Sequence, residues 1–131
     1  MLHVTRYKLH DLVWAWQIEN EPFLPFGVWP SLDVKLLDSE IALVRALDPT
    51  RPVIVTDSGE LSLWVQAAKR ADVFGTTMYR KIYPQFIGRF TGVFEYPLPP
   101  GFFRFKEKLA RFMTGEPDKR FIVVELQSEP V

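Results

Sequence analysis

The chain has 131 residues, 47% of them apolar and 15% aromatic, a composition that supports a packed core and excludes a disordered chain. Its 16 basic and 16 acidic residues cancel, and no run of one sign forms the basic footprint a nucleic-acid binder needs. With no cysteine, disulfides and thiolate metal sites are excluded. No apolar run reaches the ~18 residues of a membrane span. The expected partner is therefore uncharged or small, and is neither nucleic acid nor membrane. No charged-then-apolar leader opens the sequence, so the signal of an exported parent would lie upstream of Met1.

In chain order, residues 1 to 10 (MLHVTRYKLH) read as the tail of a helix whose start is absent. The run VWAWQIENE at 13 to 21 is apolar and then polar, and is predicted as a buried strand. Val34, Leu37, Ile41 and Val44 fall at helical spacing, which predicts a helix from about Asp33 to Leu47, ended by Asp48 and Pro49. PVIVTDSG at 52 to 59 is the second strand, and the Ser58-Gly59 turn leads into a short helix from Leu61 to Arg70. VFGTTMY at 73 to 79 is the third strand. Phe102, Phe105, Leu109 and Phe112 repeat the helical spacing until Gly115 and Pro117 stop it. FIVVELQSE at 121 to 129 is the fourth strand.

Strands alternating with helices imply right-handed βαβ units and a parallel sheet, so the predicted class is α/β. The connection from Arg80 to Gly101 is rich in Pro, Gly, Phe and Tyr. It is too long for an ordinary loop between a strand and a helix, and reads as a functional lid or wall.

In α/β folds of this kind, reactive groups collect beyond the carboxyl ends of the strands, where loops converge around a crevice. The four predicted strands deliver Asn20 and Glu21, then Thr56, Asp57 and Ser58, then Tyr79, then Glu125. Two carboxylates at neighbouring strand ends can divide acid and nucleophile duties, as glycoside hydrolysis requires. Asn20-Glu21-Pro22 after a Trp-bearing strand, with Glu125 closing the strand FIVVE far down the chain, resembles the clan of retaining glycoside hydrolases built on the (β/α)8 barrel, a cellulase- and mannanase-like group. The resemblance covers nearly the whole chain, and its two Glu motifs are the specific part.

In that clan the acid/base is the Glu that follows Asn at the end of the fourth strand, and the nucleophile is a Glu at the end of the seventh. The four strands here count as fourth to seventh. The resemblance therefore implies a partial (β/α)8 TIM barrel and hydrolysis of β-glycosidic bonds in a polysaccharide or oligosaccharide. Glu21 would be the acid/base and Glu125 the nucleophile. Asn20 would bind the sugar 2-hydroxyl, and Tyr79 would hydrogen-bond Glu125. Trp29, Tyr83 and Phe86, in loops on the same side, would stack on sugar faces or pack the wall. No cofactor or metal is implied.

Alternation along the first strand would put Ala15, Gln17 and Glu19 on one side with Glu21, and Trp14, Trp16 and Ile18 toward covering helices. Glu19 then reads as a supporting group. Blander readings accompany several of these residues. Asn20-Glu21-Pro22 by itself is a turn with an exposed acid, and Glu125 by itself is a strand-end acid or part of a helix cap. Asp57 reads as a strand-end turn or cap. His3 and His10 are seven apart, not the four that pairs metal ligands on a helix.

A closed barrel needs eight strands and roughly 250 residues. The first three strands and the eighth are not in this sequence, and two open sheet edges would invite pairing with another chain. Two rival functions stand beside the glycosidase. One is a carbohydrate-binding or assembly half-barrel without turnover. The other is an unrelated α/β binding domain, in which Glu21, Tyr79 and Glu125 would not converge.

Overall fold

A computed structural model describes residues 2–24, 33–79, 81–82, 94–95 and 98–126. The elements are α1 (Leu2–Tyr7), β1 (Trp16–Gln17), α2 (Val34–Leu47), β2 (Val53–Asp57), α3 (Val65–Arg70), β3 (Val73–Met78), β4 (Lys81–Ile82), β5 (Phe94–Glu95), α4 (Pro100–Thr114) and β6 (Arg120–Leu126). β1, β2, β3 and β6 pair in that order, every pair parallel. The sheet is a curled half-barrel with intervening helices, a partial α/β barrel. β4 and β5 form a separate antiparallel pair inside the long connection, Lys81 opposite Glu95 and Ile82 opposite Phe94.

Local chemistry explains these elements. β2 is Val-Ile-Val-Thr-Asp, β-branched until its last residue and buried throughout, as suits a central parallel strand. α2 starts at Asp33, whose carboxylate accepts the N–H groups of Lys35 (3.0 Å) and Leu36 (3.1 Å) and so satisfies two orphan donors. Its buried stripe is Leu37, Ile41 and Val44, as the spacing predicts. α4 opens on a proline at its first positions and closes at Gly115 (φ 72°). The left-handed conformation of Gly115 lets the N–H groups of Gly115 and Glu116 reach the carbonyls of Phe112 and Arg111.

The helices cover one face of the sheet. Trp64, fully buried, stacks on Phe121 at 5.2 Å and on Phe103 at 6.3 Å, and Phe74 meets Phe121 at 5.0 Å. Val53, Val55, Ala67, Ala68 and Ala110 complete this layer. The opposite face is the concave side of the half-barrel. There a Cβ on Gly75 would meet Thr56, Ile122 and Val124 at 3.1 to 3.3 Å, which places those residues together.

Three expectations are corrected. The first apolar run pairs only at Trp16–Gln17, because Glu19 and Glu21 have positive φ (53° and 49°) and the chain turns. The second helix begins at Val65 and not at Leu61, because Trp64 sits in the left-handed region (φ 62°), where a helix cannot continue. The apolar repeat on α4 is not its buried face. Phe105 and Phe112 are 63% and 81% exposed, whereas Phe103, Lys106 and Ala110 turn inward toward the Trp64 ring and α3. A lysine held on an aromatic face shifts the buried stripe away from the one the hydrophobic repeat marks.

Candidate functional site

Thr77 of β3 and Tyr79, just beyond its end, organise the carboxyl ends of the strands. The register of β3 against β6 runs Phe74 with Phe121, Gly75 with Ile122 and Thr76 with Val123, then skips Val124 so that Thr77 faces Glu125. This bulge decides where Glu125 stands. Along an unbroken strand Glu125 would share the face of Phe121 and Val123, among the covering helices. The extra residue moves it to the register of Thr77, which lies with Gly75 and Thr56 on the concave side.

Glu21 reaches the same place by another route. The Glu19–Glu21 turn follows β1, and Thr56 at the end of β2 accepts the N–H of Glu21 at 3.0 Å. The Thr77 hydroxyl donates to Glu21 Oε1. One threonine therefore touches Glu21 and stands opposite Glu125. The left-handed conformations of Glu19 and Glu21, on either side of Asn20, are strained for residues with a Cβ and persist only where their surroundings hold them. Thr56 and Thr77 hold Glu21, and Gln17 Nε2 donates to the Glu19 carbonyl at 3.4 Å.

The Tyr79 hydroxyl donates to Glu125 Oε2. That bond, followed by burial and by the charges of Glu125, Glu21 and Glu60, pushes the phenol up to about 12, so Tyr79 stays a protonated donor through neutral pH. Asn20 is exposed, and its side-chain carbonyl accepts from Gln17 Nε2 (3.3 Å) and the Thr56 hydroxyl (3.5 Å). Gln17 also reaches Thr56, in keeping with the concave position expected of it, while Trp16 points to the helix side and donates to Asp48 at 2.9 Å.

Behind the site lies a buried charged group. Asp57 is fully buried. Its carboxylate accepts the N–H of Ser58 (2.9 Å) and the hydroxyl of Ser62 (2.5 Å), yet burial dominates and raises its pKa. Burial likewise raises Glu60, whose Oε1 has no hydrogen-bond partner among the described residues. Lys106 of α4 donates to the Gly59 carbonyl and lies 4.4 Å from the centre of the Trp64 ring.

Glu21, Glu125 and Tyr79 thus converge, with Asn20 at the rim beside them. Trp29, Tyr83 and Phe86 lie outside the described residues. Asp57 sits behind the site in the strand-end turn expected of it, and Glu19 is exposed. Thr77, Gly59, Glu60 and Lys106 are the additions sequence reasoning missed. Lys106 had one legible sign, a cation four residues before Ala110 and three after Phe103, on a face otherwise apolar. An apolar groove of ≈ 490 Å³ opens between β3, β6 and α4, lined by Met78, Tyr79, Phe103 and Phe121 among others, but neither Glu21 nor Glu125 lines it. No family model, curated protein or solved structure matches the chain.

Proposed function

We propose that these four strands are half of a β/α barrel and carry both carboxylates of a retaining β-glycosidase. The observation that supports this best is the junction at Thr77, where Glu21 and Glu125 come from strands at opposite edges of the sheet and meet at one residue between them. In this reading Glu125 attacks the anomeric carbon while Glu21 protonates the departing glycosidic oxygen. Glu21 then takes a proton from the water that releases the sugar. Retention calls for carboxyl groups about 5 to 5.5 Å apart, the spacing of a direct attack with no room for an intervening water.

Tyr79 orients the nucleophile and, as a neutral phenol, stabilises its charged form by hydrogen bonding. Asn20 contacts the sugar 2-hydroxyl, a bond that strengthens as the ring approaches an oxocarbenium ion. By the resemblance of the two Glu motifs, the substrate class is a β-linked polysaccharide or oligosaccharide.

Activated aryl β-glycosides, tested on the complete barrel, separate these roles. Glu125→Gln is expected to abolish turnover of every substrate, by about 10⁴-fold or more. Glu21→Ala is expected to retain the first step for a dinitrophenyl leaving group, which needs no acid. Azide should then restore turnover, because a small anion attacks the glycosyl-enzyme without a base. Equal losses in both variants with no azide response would remove the assigned roles. Sugar binding that survives both substitutions, with no turnover in the unaltered protein, would assign the site to binding alone.

A further inference from the structure

The residues that touch Glu21 and Glu125 are themselves held from behind, and the chain of contacts ends at a buried cation. The Ser58–Glu60 loop lies against the end of β3 so closely that a Cβ on Gly59 would come within 2.1 Å of the Thr77 carbonyl oxygen. On its other side the loop receives Lys106, which donates to the Gly59 carbonyl. The same ammonium lies 4.4 Å from the Trp64 ring centre and 5.2 Å from that of Phe102. Trp64 in turn donates to the carbonyl of Ser58 at 2.7 Å, so cation and indole grip one loop together.

We propose that Lys106 is a positioning residue for the carboxylate pair, clamping the Ser58–Glu60 loop onto the end of β3, from which Thr77 and Tyr79 hold Glu21 and Glu125. Its kinetic consequence rests on the glycosidase reading; the mechanical coupling does not. An apolar side chain would fill this space at less desolvation cost. What a lysine adds is a donor to the Gly59 carbonyl and a charge opposite Asp57 and Glu60, which are the charges acting on it among the described residues.

Burial pulls the Lys106 amine down to about 8, against the opposing effect of Asp57 and then Glu60. Raising the pH through that value therefore removes the charge and, with it, the electrostatic attraction to both rings and the charge assistance of the bond to Gly59. In the free protein this folded-state proton loss precedes that of the unfolded chain, near 10.4. Fold stability is thus expected to rise, not fall, between about 8 and 10.4 while the grip on the loop weakens. A purely structural lysine would not separate the two.

Amide resonances of the 131-residue chain, followed from pH 6.5 to 9.5, test the coupling without any substrate. Gly59, Thr77 and Tyr79 are expected to shift together with a midpoint near 8. Lys106→Arg keeps a permanent charge, so the transition should vanish with the signals near their neutral-pH positions. In Lys106→Met the same three signals should be displaced at every pH. In the complete barrel, Lys106→Met should lower kcat about tenfold with KM little changed, the scale of a small misplacement, and Lys106→Arg should recover most of it. A transition that persists in Lys106→Arg, or displacements confined to α4 in Lys106→Met, would overturn the proposal. Intact coupling in the amide signals with no turnover in the unaltered barrel would overturn the glycosidase reading and leave the positioning role standing.

Discussion

The two ends of the sheet use the same residue types to opposite purposes. At the amino end, Asp48 accepts the Trp16 indole (2.9 Å), the Thr50 hydroxyl (2.6 Å) and amide (3.1 Å), and Arg51 (3.1 Å). Led by the Thr50 and Trp16 bonds, these donors hold its carboxyl well below the usual range. Arg51 then ties down the preceding chain, donating to the carbonyls of Val13 (2.5 Å), His10 (3.0 Å) and Lys8. At the carboxyl end, Asp57 and Glu60 are raised by burial, two glutamates adopt left-handed backbone, and one carboxylate oxygen has no partner among the described residues. Carboxylates with surplus donors store stability, whereas carboxylates short of donors store strain and proton affinity, which are the resources of a functional rim.

The largest structural effect is expected where the rim is tightest. Gly59→Ala would place a methyl group 2.1 Å from the Thr77 carbonyl, and backbone cannot yield there without moving β3. A loss of about 1–3 kcal/mol in urea unfolding follows from overpacking, together with loss of the Thr77 contact to Glu21. Gly115→Ala provides the contrast. It meets nothing within 4 Å and strains only its left-handed backbone (φ 72°), so about 1 kcal/mol is expected with the rim intact. A Gly59 variant as stable as the unaltered chain would show that the loop does not press on β3.

Much of this architecture was legible in one dimension because it rests on short-range periodicity. The β-branched run of β2 and the Leu37, Ile41, Val44 stripe each announce an element by local pattern alone. Glu21, Tyr79 and Glu125 were legible as strand-end polar residues, since a parallel sheet gathers such ends. Glu125 faces the concave side for a reason that was not legible. Its parity matches Phe121, and only a bulge at Val124 corrects it, a pairing property between strands that a single strand does not display. The Lys106 face failed for a related reason. Hydrophobic periodicity counts a lysine as surface, but the Trp64 ring and the Gly59 carbonyl give this one a place inside.

A second way to test the contrast between the ends is through protons. Asp48 is depressed in the folded chain, so its contribution is complete above the unfolded value near 3.9 and is lost as pH falls below it. Asp57 is raised, so the folded chain takes up its proton more readily than the unfolded one, and acidification from neutrality toward about 3.9 adds stability through it. On acidification, unfolding free energy should therefore rise through Asp57 down to about 3.9 and fall through Asp48 below it. Asp48→Asn should flatten the acid limb, whereas Asp57→Asn should remove the gain that precedes it. Slopes of the same sign for both differences would mean that the ends are not set apart as described.

The smallest expected effect is also at the amino end, and it limits how far charge counting explains that end. Arg45 meets Asp72 at 3.0 Å, but the two side chains are 46% and 42% exposed. Solvent and salt screen such a pair, and holding the long arginine side chain in place costs entropy, so Arg45→Ala should cost under about 0.5 kcal/mol. Asp72 has a second and drier duty, because its other oxygen accepts the N–H of Val53 at 2.8 Å where β2 begins. That bond does not need Arg45. The substitution should therefore leave the Val53 amide as protected from hydrogen exchange as before, and the small loss should disappear in high salt. A salt-independent loss above about 1 kcal/mol, or early exchange at Val53, would show that the ion pair holds Asp72 in position. The amino end would then depend on an exposed charge pair in addition to its buried hydrogen bonds.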